Sequence, residues 1–190
     1  MVNLIPHSQA LIRAGDQPGD LGAVAAMHGV LYCREQGMDQ TVEAYIAGGL
    51  ADLVTARARD GDEAGRLWVA EAGGRLVGSI GITRATDDAA QLRWFLVDPS
   101  QQGRGLGRRL LDTTLGYTRS RGFRSVFLWT IAGLARAHHL YSQAGFTLTE
   151  SRRVRQWGID VVEERFDLDL AAAQRSEHAP SRASTTGGAR

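Results

Sequence analysis

Lysine is missing from this chain: its 22 basic residues are all arginine, set against 21 Asp plus Glu. Without it no phosphate loop closing in Gly-Lys-Ser/Thr can form, because that lysine reaches the outer phosphates of a nucleotide. Cysteine occurs once, at Cys33, which excludes an internal disulfide and a cysteine-rich metal site. Neither sign of charge is in excess, and a formal net charge of +1 gives no basis for general binding to nucleic acid. No apolar run approaches the ~20 residues of a membrane-spanning helix. The opening Met1-Val2-Asn3-Leu4-Ile5-Pro6-His7 lacks the basic start and apolar centre of a secretory signal. These absences predict a cytoplasmic protein with neither a membrane nor a nucleic-acid partner.

What is present suits one globular domain: 190 residues, 43% of them hydrophobic, can bury a substantial core. The all-arginine basic set reads as compositional bias. The most informative stretch is Gln102-Gly103-Arg104-Gly105-Leu106-Gly107, between an apolar run ending Leu96-Val97-Asp98-Pro99 and a helical pattern from Gly107 to Arg121. Glycines let a backbone come close to a ligand and take φ values closed to other residues. A helix start behind them offers unpaired N–H groups and a positive dipole end, which together favour an anion such as phosphate. Arg104, Arg108 and Arg109 add positive charge. The spacing is G-x-G-x-G, not the G-x-G-x-x-G of a dinucleotide site, and the next strand ends without the carboxylate such a site requires. On this motif alone, a glycine-rich turn without a ligand is the alternative.

The remaining pattern orders the chain. Residues 1–9 read as a loose lead-in, followed by a strand over Ala10–Ala14. A helix over Leu21–Gln36 follows, with Asp20 as its cap, and a second helix is capped by Asp39 or Thr41. Leu67–Glu71, Gly73-Gly74 and Leu76–Thr83 read as a hairpin, and Gln91–Val97 as the fourth strand. After the glycine loop come strand Ser125–Thr130, helix Leu134–Gln143, strand Phe146–Val154, the turn Trp157-Gly158 and strand Val161–Leu170. The domain therefore spans 10–170, and the Ala/Ser/Gly/Thr-rich stretch 171–190 reads as a disordered tail.

Gln102-x-x-Gly105-x-Gly107, preceded by Val97-Asp98-Pro99, resembles the acetyl-CoA pyrophosphate loop of the GNAT family of N-acetyltransferases. Leu140-Tyr141-Ser142-Gln143-Ala144-Gly145-Phe146 is similar to that family's Leu-Tyr-x-x-x-Gly-Phe segment at the expected distance. The stretches Leu92–Pro99, Phe127–Thr130 and Arg155–Gly158 further resemble the acetyltransferase half of bacterial fusions with a MarR-type winged helix, although the stretch before the first strand is too short for a winged helix to be expected in it.

The resemblance implies the α/β GNAT fold: a mixed, mostly antiparallel sheet of about seven strands with four main helices. It implies acetyl-CoA as cosubstrate and direct attack by an amine of a small molecule or exposed protein amine in a ternary complex. The alternatives are a weakly active or inactive CoA-binding sensor and a transferase using another acyl-CoA. Main-chain groups of Gln102, Gly103, Arg104, Gly105, Leu106 and Gly107 would hold the pyrophosphate. Leu96 and Val97 would pair with the pantetheine arm where the fourth and fifth strands splay apart. Such domains often pair, so a homodimer is an open expectation.

Tyr141 matches the family's frequent general acid; a core tyrosine is the alternative. The base is open, because Gln91 stands where many relatives carry Glu. Glu163, Glu35 or Asp39, a water chain, or a weakly basic acceptor could replace it. Candidate acceptor contacts are His28, Tyr32, Glu35, Arg93, Trp129, Arg155 and Trp157. Arg93, between apolar neighbours, would want a carboxylate partner such as Glu163. Trp94 and Phe95 should face opposite sides of the sheet. The arginines of the last hairpin, Arg155 above all, favour an acceptor bearing a carboxylate. His138 and His139 point about 100° apart on a helix, so no metal site is expected.

Overall fold

The structure, a computed structural model, describes residues 9–171. The rest of the expected lead-in and tail lies outside the described residues. In chain order the elements are β1 (Leu11–Ala14), α1 (Asp20–Gln36), α2 (Thr41–Asp60), β2 (Gly65–Ala72), β3 (Arg75–Arg84) and β4 (Ala89–Val97). Then come α3 (Leu106–Ser120), β5 (Ser125–Ile131), α4 (Ala135–Gln143), β6 (Thr147–Gln156) and β7 (Ile159–Asp169). The strands form one sheet in the order β1-β2-β3-β4-β5-β7-β6, antiparallel everywhere except between β4 and β5. This is the predicted α/β architecture.

Alternation along the central strands feeds two cores. Trp68 and Ala70 of β2 face one side of the sheet and Leu67 and Val69 the other. On the first side, α3 presents Leu106, Leu110, Leu111 and Leu115 at helical spacing, each almost fully buried. Such burial contributes about 1.5–3 kcal/mol per leucine. Tyr141, Phe146 and Phe166 continue that core under α4. On the second side Val24 of α1 and Ile46, Leu50 and Leu53 of α2 pack on Leu67, Val69 and Trp94. The edge strand β6 is exposed along nearly its whole length. As expected, Trp94 lies under α1 and α2 while Phe95 packs into the α3–α4 core.

Both helix caps differ from expectation. The N-cap of α1 is Gly19, at φ 97, and no side chain caps it. Asp20 is drawn away by a stronger partner: its carboxylate accepts from Arg13 at 2.7 and 2.8 Å and from the Gln17 N–H at 2.9 Å. These bonds hold its carboxyl below the usual range, the Arg13 guanidinium being the main cause. At α2 the N-cap is Gln40, without a side-chain cap, in place of the expected Asp39 or Thr41; Asp39, one residue earlier, accepts the Thr41 N–H on Oδ1 at 2.9 Å.

Candidate functional site

Parallel pairing of β4 with β5 ends at Leu92 and Leu128. Beyond it the strands part, and the backbone of β4 from Arg93 to Val97 borders a cleft of about 970 Å³. That is the upper end of the size usual for small-molecule sites. The cause is local. Between Ser79–Leu96 and Gly81–Arg93 the register shifts, because β4 carries one extra residue there. Trp94 takes φ 50 at this bulge, and Ser79 Oγ donates to its carbonyl at 2.7 Å. Gly81 leaves the space for its ring: a Cβ there would lie 2.5 Å from Trp94 Cε3.

The glycine loop closes one end of the cleft. Asp98 Oδ1 accepts the Ser100 N–H at 2.9 Å and starts a short 3-10 turn, Pro99–Gln101. Gly103 and Gly105 follow at φ 74 and φ 77, the region that favours glycine. Nothing lies within 4 Å of a Cβ at either position, so backbone conformation is the constraint that the fold itself places on them. Gly105 is the N-cap of α3 and no side chain caps it, which leaves the first-turn N–H groups to a ligand or solvent. The Leu106 side chain is buried in the core, so only its main chain serves the cleft.

Gln102 acts as a clip. Its Nε2 donates to Val97 O at 3.1 Å, and its Oε1 accepts from Arg136 Nη1 in the first turn of α4. Arg136 and Arg108 both line the cleft, and Arg108 is paired with Asp112 at 3.1 Å. Arg104 is exposed and is not part of the cleft wall. Arg109 turns away to donate to Ala10 O at 3.0 Å. Sequence reasoning missed Arg136. A parallel β4–β5 pair sets the start of α4 beside the glycine loop, and that topology was the available signal.

The other end is built by α1, α2 and the β6–β7 hairpin. Trp157 and Gly158 form its two-residue turn, both at positive φ (53 and 78). The Trp157 carbonyl accepts the Asp39 N–H at 2.8 Å, and its ring lies 5.6 Å from that of Tyr45. His28 is only 1% exposed. Its Nδ1 contacts Val24 O at 2.9 Å, its Nε2 has no partner, and its ring meets Tyr32 edge-on at 5.7 Å. Burial lowers the imidazole to about 4, so it is neutral at pH 7. Burial raises the Tyr32 phenol to about 12.

Tyr141 borders the cleft where β4 and β5 diverge. Its ring packs on Phe95, Phe146 and Phe166 at 6.1, 5.9 and 5.8 Å. Burial, with a smaller effect of nearby Tyr32, raises its hydroxyl well above the usual phenol range. Trp129 also lines the cleft, outside the main cores, with the Arg152 guanidinium 4.3 Å over its ring.

Two expectations are corrected. Glu163 lines the cleft but is not the partner of Arg93: Arg152 donates to its Oε2 at 2.9 Å and Gln156 Nε2 to its Oε1. Arg93 instead lies over the rings of Trp94 and Tyr45, at 4.7 and 5.7 Å. The bulge explains this, because it puts Arg93 and Trp94 on one side of the sheet. Arg155 lies outside the cleft wall, 71% exposed and 3.3 Å from the equally open Asp160. Among the remaining base candidates, Glu35 lines the cleft and pairs with Arg34 at 3.0 Å, whereas Asp39 does not line it. Gln91 lines the cleft too.

Comparison with known proteins agrees with this geometry. An N-acetyltransferase from Staphylococcus aureus Mu50 has the same fold, with a TM-score of 0.69 at 18% identity over 86% of this chain and 99% of that one. So does yncA from Salmonella typhimurium, solved with its cofactor acetyl-CoA, with a TM-score of 0.65 at 20% identity over 85% and 94% of the two chains. The mycothiol acetyltransferase of Beutenbergia cavernae is 35% identical over 104 residues, 52% of this chain and 35% of that protein. N-acetyltransferase 8 of Rattus norvegicus is 33% identical over 107 residues, 53% and 48% of the two. The chain thus spans between a third and a half of the length of these two relatives. Residues 32–146 match the family described as acetyltransferase (GNAT), and these residues carry both β4 and the glycine loop. The chain belongs to the GNAT acetyltransferase family.

Proposed function

We propose that the cleft catalyses transfer of the acetyl group of acetyl-CoA to an amine of a small molecule or exposed protein amine. The observation that carries this reading is the parting of β4 from β5 beside an uncapped helix start with two left-handed glycines. These features fit a long, extended ligand with an anionic end. When bound, acetyl-CoA supplies the acetyl group as an activated thioester.

The chain's own residues divide the work. Main-chain N–H groups from Gln102 to Gly107 bind the pyrophosphate, with Arg108 and Arg136 adding charge. The backbone of Leu96 and Val97 pairs with the extended arm as another strand would. Tyr141, kept protonated by burial, holds the proton for the departing thiolate. Glu163 receives the proton released by the amine; it is a cleft carboxylate on the acceptor side, and Arg152 and Gln156 fix its orientation. Tyr32, His28, Trp129 and Trp157 shape the acceptor side. We assign the activity to the cytoplasm and regard the MarR-linked acetyltransferases as a related group, on the resemblance of Leu92–Pro99. No helix among the described residues is long and apolar enough to cross a membrane.

Thiol release from acetyl-CoA across a panel of amines, with product mass, tests the reading. Acetylated product from at least one amine is expected, with the pH-dependent rise in rate blunted in Glu163→Gln. Acetyl-CoA binding without transfer to any amine would overturn it in favour of a CoA-binding sensor, the reading that Gln91 in the Glu position supports.

A further inference from the structure

Three arginines line the cleft, and two are accounted for at the cofactor end: Arg108 pairs with Asp112, and Arg136 donates to Gln102. Arg93 stands at the acceptor end. It is half-buried, and among the described residues no carboxylate lies within ion-pair distance of it. Its one polar side-chain contact is long, 3.4 Å from Nη2 to the Tyr45 hydroxyl. Room for the guanidinium is made by Gly49 of α2, where a Cβ would come within 2.8 Å of Nη2. Desolvating a cation without a counter-ion is costly, and the faces of Trp94 and Tyr45 offset only part of that cost. A planar fork of N–H donors in this setting matches a carboxylate supplied by a ligand.

The surroundings decide the rest of the substrate's chemistry. The cleft carboxylates are engaged, Glu35 by Arg34 and Glu163 by Arg152 and Gln156, so a polycation would find no unpaired anion there. Tyr45, 51% exposed, and Trp157 present ring surface beside Arg93 that an apolar group would cover.

We propose that the acceptor is a small amine that also carries a carboxylate, bound with the carboxylate on Arg93 and an apolar body against Tyr45 and Trp157. This rests on the acetyl-transfer reading above. It moves carboxylate recognition from Arg155, in the open, to a residue inside the cleft.

The test compares matched acceptors at equal concentrations of neutral amine: phenylalanine against phenethylamine, leucine against isoamylamine, and spermidine as a polycation. A charge-assisted pair of this kind predicts that each carboxylated member is preferred by about 10- to 100-fold in kcat/KM. In Arg93→Met the ratio should fall towards one, with acetyl-CoA affinity unchanged by calorimetry; Arg155→Ala should leave the ratio intact. If Arg93→Met does not fold, Arg93→Lys should still reduce the ratio, because it loses the two-pronged contact. Equal use of the paired amines, preference for spermidine, or a ratio intact in the Arg93 variant would overturn the proposal. If no amine is acetylated, the transfer reading falls, and titration of phenylalanine into CoA-saturated protein decides this inference separately. Binding that depends on Arg93 upholds it, and its absence overturns it.

Discussion

The two ends of the cleft reach unusual backbone conformations by opposite means. At the cofactor end the positive φ angles fall on Gly103 and Gly105, where they carry almost no steric penalty. At the acceptor end they fall not only on Gly158 but also on Trp94 and Trp157, the two non-glycine residues with positive φ among the described residues. For a bulky residue such a conformation costs about 1–3 kcal/mol and persists only where its surroundings over-determine it. Here they do: Ser79 and Gly81 hold Trp94, and Asp39 and Tyr45 hold Trp157. The glycine-loop end thus takes its shape from backbone that glycine adopts without strain. The acceptor end places strained, large side chains in fixed positions, as selective recognition requires.

The most severe way to break this comparison is at the junction of the two ends. Tyr141→Phe removes the hydroxyl proposed as proton donor while leaving both binding surfaces intact. It should lower kcat by about 10²- to 10³-fold, with KM for acetyl-CoA and acceptor within twofold. Steady-state kinetics measures this, and a change confined to KM would make Tyr141 a packing residue only.

A second difference is that the acceptor end buries a titratable ring. His28 is held neutral in the fold with its value near 4, whereas an unfolded chain takes up a proton near 6.5. The unfolded state therefore binds more protons through this window, and stability falls as pH drops from 6.5 towards 4. Between pH 7 and pH 5 the loss is about 2 kcal/mol from this group, read from urea unfolding at the two values. His28→Gln should flatten that dependence, and an unchanged slope would contradict the burial argument.

A smaller effect isolates the recognition role proposed for the strained turn. Asn tolerates the left-handed region, so Trp157→Asn removes the ring without demanding a new backbone. KM for the acceptor should rise about tenfold as one apolar contact surface is lost, with acetyl-CoA affinity unchanged. Equal weakening of both ligands would show that the ends are not separable.

The same contrast explains what the sequence made legible. Glycines spaced before a helix announce left-handed backbone and free N–H groups, so the glycine loop and its helix could be read from residues 102–121. Strand and helix periods located every strand and α-helix among the described residues within a few positions. Trp94 carries no such signal: nothing in Leu92-Arg93-Trp94-Phe95 marks a bulge, and strict alternation would put Arg93 on the same side as Phe95. The misassigned pairing of Arg93 with Glu163 follows from that. Arg155 drew attention through local charge density, but its exposure follows from β6 lying at the sheet edge, a tertiary fact.

The central claim is that this cleft is an acetyl-CoA site anchored on the glycine loop. Calorimetric titration of acetyl-CoA into the full chain, beside a folded Gly105→Glu variant, tests it most directly. The account predicts stoichiometric binding by the unmodified protein and none by the variant, whose carboxylate would stand against the phosphates and whose φ would be strained. No binding by the unmodified protein, or equal affinity in both, would contradict it.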